Sequence, residues 1–92
     1  MKIRRSDNYV GREVAGEFLL IPITTVGADL QKIKHLNGTA AAIWDCLDTE
    51  KSQKEVLERL SGIYNVEDTL LKRDVRATFD SFVKSGICIV NE

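Results

Sequence analysis

The chain has 92 residues, and a core of the size this length can bury serves one domain, so residues 1–92 are read as a single unit. With 13 basic and 14 acidic side chains the formal charge is -1, which removes the broad positive field that nucleic-acid binders use. No apolar run reaches membrane-spanning length, and the basic start MKIRRSDNY lacks the apolar segment of an export signal, so a cytoplasmic chain with no membrane association is expected.

From Tyr9 to Ile23 the sequence YVGREVAGEFLLIPI is rich in β-branched and aromatic residues and is interrupted at Ala15-Gly16. This pattern predicts two antiparallel strands joined by a tight turn. FLLIPI is apolar at successive positions, which predicts cover on both faces, and Pro22 has no N–H and should stand at a strand end or an unpaired position. TTVGAD then reads as a loop. In DLQKIKHLN, Lys32, Lys34 and Leu36 alternate with Gln31, Ile33 and His35, the pattern of a short, half-buried edge strand whose lysines discourage uncontrolled pairing.

Asn37 is a good helix N-cap, and Ala40, Ile43, Trp44 and Leu47 recur behind it at helical spacing. A second helix begins at Ser52, where Ser52 and Glu55 form a capping box, and its stripe runs Val56, Leu57, Leu60, Ile63 and Tyr64. The third starts near Asp68, carries Leu71, Val75, Thr78, Phe79, Phe82 and Val83 on one face, and ends at Ser85-Gly86. Ile87 to Val90 is a closing strand or extended tail. The predicted class is α+β, winged helix-turn-helix-like: a small three-stranded antiparallel sheet packed on three helices.

Little in this inventory suggests catalysis. His35, the single histidine, has no carboxylate or nucleophile beside it in a recognisable signature and reads as a partly exposed strand residue. Asp45, Asp48 and Glu50 read as a solvated turn. Cys46 and Cys88 are far apart in the chain and flanked by apolar residues, so they read as buried thiols, with no metal site and no cofactor implied. Trp44 could anchor a partner, but its place on the apolar stripe assigns it to the core.

Two binding functions remain to be weighed. A DNA reader would use the third helix, where Lys72, Arg73 and Arg76 are interspersed with Glu67, Asp68, Asp74 and Asp80; this mixture suits phosphate contact poorly. A peptide binder would use the edge strand, whose free N–H and C=O groups accept another strand, and the same basic residues would favour an acidic peptide.

The segments LNGTAAAIWDCLD, SQKEVLERLSGIY and KRDVRATFDSFVKSGICIV resemble the PqqD family, small peptide-binding proteins of pyrroloquinoline quinone synthesis, together with related leader-recognition domains of modified-peptide pathways. The resemblance rests on Leu36-Asn37, Thr39-Ala40, Ile43 and Leu47, then Val56, Leu60 and Tyr64, then Asp74-Val75, Phe79, Phe82 and Gly86-Ile87, with FLLIP upstream. One departure is Thr49 after Asp48, where the family commonly has glycine. The resemblance implies no catalysis. It implies capture of a precursor's leader peptide as a strand beside the third strand, in a groove against the third helix, and delivery to a modifying enzyme, often a radical S-adenosylmethionine enzyme. The site it implies comprises Lys32, Ile33, Lys34, His35 and Leu36 with Lys72, Arg73, Arg76, Phe79 and Val83.

Overall fold

The computed structural model describes residues 1–24, 27–28, 32–63 and 68–91. In chain order the elements are β1 (Lys2–Arg5), β2 (Tyr9–Val14), β3 (Glu17–Thr24), β4 (Gly27–Ala28), β5 (Lys34–Leu36), α1 (Gly38–Cys46), β6 (Lys51–Ser52), α2 (Gln53–Ser61), α3 (Asp68–Lys84) and β7 (Cys88–Asn91). They form two antiparallel sheets and three helices, the expected α+β class.

The caps lie where the sequence placed them. Asn37 accepts a hydrogen bond from the Ala40 N–H at 2.8 Å, and Ser52 and Glu55 close a reciprocal capping box. At the end of α3, Gly86 adopts φ +77° and donates to the Val83 carbonyl, as a residue just beyond a helix does when it turns the chain back. Chain reversal there brings Ile87 and Cys88 into the core with Phe79, Phe82, Ile43, Leu47 and Leu60.

The sheets add one strand that the sequence pattern does not mark and correct one expectation. Lys2–Arg5, within MKIRRSDNY, is the central strand of the order β6–β1–β7. Its apolar content is a single residue, Ile3, which is fully buried; the remaining pairing comes from the backbone and from the tail that the reversal at Gly86 delivers. FLLIPI was expected to be covered on both faces, but only the face carrying Phe18 and Leu20 meets the helices. Leu19 and Ile21 on the other face are half-buried, and Ile23 is exposed.

Smaller differences fall in the connections. Gly27–Ala28, read as loop, pairs with Ile23–Thr24. The α2 stripe stops at Leu60, because the helix ends at Ser61 and leaves Ile63 exposed; Tyr64 lies outside the described residues. At the turn where the family commonly has glycine, Asp48 accepts from the Thr49 N–H at 3.0 Å and from Lys51 Nζ at 3.3 Å. These bonds hold its carboxyl below the usual pKa, chiefly through Lys51.

Candidate functional site

The second sheet holds β2, β3 and β5, with β4 at the far end of β3. Its register determines which backbone groups face outward. Ile23 donates to the Asn8 carbonyl at 2.7 Å, and Pro22, opposite Tyr9, has no N–H to give. In an antiparallel ladder bonded and non-bonded pairs alternate, so Val10–Ile21, Arg12–Leu19 and Val14–Glu17 exchange the bonds between β2 and β3. Phe18 and Leu20 therefore direct their groups to β5, to Leu36 and Lys34. His35, opposite Leu19, then turns its N–H and C=O away from β3 to the margin of the sheet.

That margin is open: among the described residues no strand pairs with β5 on its outer side. The chain's own tail does not close it, because β7 pairs with β1 in the other sheet. Pro22 also fits this arrangement. It stands between the part of β3 paired to β5 and the part paired to β4, at a position where no donor is required.

Side chains on β5 alternate as the sequence requires. Leu36 packs on the core, Lys34 shares its face half-buried, and His35 projects outward, 3.7 Å from Glu17. Ile33, just before the strand, is half-buried and Lys32 is exposed. Beyond Leu36 lies a concavity of about 590 Å³ walled by Phe18, Ala41 and Ala42 and carrying the carboxylates Glu13, Glu17 and Asp45. Sequence reasoning missed this acidic end, because its three carboxylates come from β2, β3 and α1 and only the fold unites them.

The helical half of the expected site is less compact. Lys72, Arg76, Phe79 and Val83 follow one another at helical spacing along a flank of α3, and Arg73 lies one row further out. Lys72, Arg73 and Arg76 are exposed and Val83 is half-buried. Phe79, expected on an exposed flank, is fully buried and belongs to the core. Lys72 borders a groove of about 410 Å³ between α2 and α3, with Gln53, Lys54, Leu57 and Val75. The main packing neighbours of β5 are β3 and α1, while α3 packs on α2, α1 and β7.

The comparisons with known proteins agree with this architecture. Residues 17–87 match the family described as coenzyme PQQ synthesis protein D, PqqD. The chain belongs to the PqqD family. Among solved structures, this PqqD-family chain is similar to TbiB1 in complex with the TbiA(beta) leader peptide, at 19% identity and a TM-score of 0.74, over 97% of this chain and 98% of that one. It is also similar to lasso peptide synthetase B1 complexed with the leader peptide, at 25% identity and a TM-score of 0.73, over 96% and 98% of the two chains. No curated protein sequence matches. No helix among the described residues is long and apolar enough to cross a membrane, and no group of metal-binding side chains occurs among them.

Proposed function

We propose that this PqqD-family chain is a leader-peptide recognition module of a pathway that modifies ribosomally made peptides. The leader adds as a further strand along β5, and a separate enzyme performs the chemistry on the precursor it carries. The observation that carries this reading is the outward N–H and C=O of His35 on an edge that neither the tail nor another described strand occupies. Membership of the family and similarity to two proteins solved with leader peptides support it.

Backbone pairing supplies most of the contact and tolerates varied side chains, which accounts for a binding site with no catalytic signature. Lys34, His35 and Leu36 form the receiving strand in this reading, with Lys32 and Ile33 flanking it on the approach to β5. Lys72, Arg73, Arg76 and Val83 add a basic flank, and Phe79 supports it from the core. The partner enzyme is of the radical S-adenosylmethionine class or another peptide-modifying class. On α3, Asp74 and Asp80 stand among the basic residues, and this mixed surface favours a peptide over nucleic acid.

Isothermal titration with synthetic leaders from precursor genes beside this one tests the proposal. One leader should bind, with little change in affinity between 50 and 200 mM salt, whereas a DNA contact through several phosphates would weaken by about a thousandfold. Failure of every such leader to bind the folded protein would overturn the reading.

A further inference from the structure

Lys34 occupies an unusual position for a lysine. It lies on the inner face of β5, on the side of fully buried Leu20 and core-packed Leu36, and is half-buried there. Its side chain makes no hydrogen bond or ion pair among the described residues, whereas Lys2, Lys51 and Arg5 each have a carboxylate within 4 Å. A lysine that lays its stem along apolar surface and leaves its ammonium unpaired protects an edge against indiscriminate pairing. The same arrangement rewards an incoming strand that brings the missing negative charge.

Accepting the strand addition proposed above, we infer that Lys34 selects leaders with an acidic residue two positions after an apolar one, the apolar residue facing Leu36 and the acidic residue facing Lys34. The register follows from the alternation on β5. His35 exchanges the backbone bonds with the added strand, so Lys34 and Leu36 stand at non-hydrogen-bonded positions. There the Cα atoms approach to about 4.5 Å, against about 5.5 Å at bonded positions, and cross-strand side chains interact most directly. Every strand pair among the described residues is antiparallel, and an antiparallel guest faces Leu36 before it faces Lys34 in its own chain direction. The order is therefore apolar, any residue, acidic.

The test is a double-mutant cycle on a leader that the wild-type protein binds in titration. Each Asp or Glu of that leader is changed singly to its amide and measured against wild type, Lys34→Met and Lys34→Glu. One amide change, two positions after an apolar residue, should weaken wild-type binding about fivefold and have no effect on Lys34→Met. Replacing that acid by lysine should weaken binding to wild type and restore it to Lys34→Glu. If every amide change acts equally on wild type and Lys34→Met, or if the sensitive acid precedes its apolar neighbour, the assignment to Lys34 fails while peptide binding stands. If no leader binds wild type, both readings fail together.

Discussion

The guanidinium of Arg5 lies 4.1 Å from the centre of the Trp44 ring, and its Nε donates to the Trp44 carbonyl at 2.8 Å. A second nitrogen of the same group donates to the Asp45 carbonyl at 2.8 Å and lies 3.6 Å from the Asp45 carboxylate. One side chain of β1 thus satisfies the carbonyls at the end of α1, places a cation at the negative end of the helix and covers the indole face. Replacing Arg5 with alanine should cost about 2–3 kcal/mol, the range for losing hydrogen bonds to a charged group plus a partly buried cation–π contact. Lysine should recover less than half, because it keeps the charge but not the planar fork. Urea denaturation of the three proteins, followed by Trp44 fluorescence, measures the difference.

Between β2 and β3 the turn residues Ala15 and Gly16 both have positive φ, 51° and 82°. This is the backbone of a type I′ hairpin turn, in which glycine is at ease and alanine is strained by its Cβ. Asn tolerates the left-handed region better, and Asn-Gly is the favoured pair for this turn. Ala15→Asn should therefore stabilise the protein by about 0.5–1 kcal/mol without altering peptide binding. A higher thermal midpoint with unchanged leader affinity is the expected result.

The helices, the hairpin and the edge strand were legible because each is encoded locally. Asn37, the Ser52–Glu55 box and Gly86 mark ends, and the stripes Ile43-Trp44-Leu47 and Leu71-Val75-Phe79-Phe82 mark faces. The sheet of β1, β6 and β7 was not legible as a sheet, because its partners are distant in sequence and Ile3 is the only apolar residue of its central strand. Gly11 shows the same limit. It is required by the third dimension, since a Cβ there would fall 2.6 Å from Trp44 Cζ3, yet nothing around it in the sequence signals a close approach. At the candidate site, the alternation of β5 was readable from Lys34, His35 and Leu36. The burial of Phe79 was readable too, since it lies on the helix stripe; assigning it also to an exposed flank asked one side chain to face both ways.

Cys88 titrates in a window that stability measurements can isolate. Burial pushes its thiol from 9.0 up to about 12, while the charge of Arg5 acts in the opposite direction. Between those two values the unfolded chain has released the proton that the folded chain keeps, so the native state binds more protons and stability must fall as pH rises. Below about pH 9 this group contributes no slope. Above it the decline due to Cys88 should approach about 1.4 kcal/mol per pH unit until the folded thiol itself ionises. Denaturation of wild type and Cys88→Ala at pH 8, 9.5 and 10.5 checks this. The variant should start lower through lost packing and then fall less steeply, whereas parallel declines would contradict the buried, protonated thiol.

Proline substitution tests the open margin most directly. His35 is largely exposed and its N–H faces away from β3, so His35→Pro removes a donor that the folded monomer does not use. The fold should survive, with a loss of at most about 1–2 kcal/mol from altered strand geometry, and the affinity for the leader should fall at least about tenfold through the missing backbone bond and a ring placed in the path of the guest strand. Lys34→Pro provides the contrast. Its N–H is directed to Leu20, so this change should damage the sheet itself and lower the thermal midpoint before any question of binding arises. Circular dichroism and leader titration of both variants separate the two effects. Unaltered leader affinity in a folded His35→Pro protein would place the peptide somewhere other than the β5 edge.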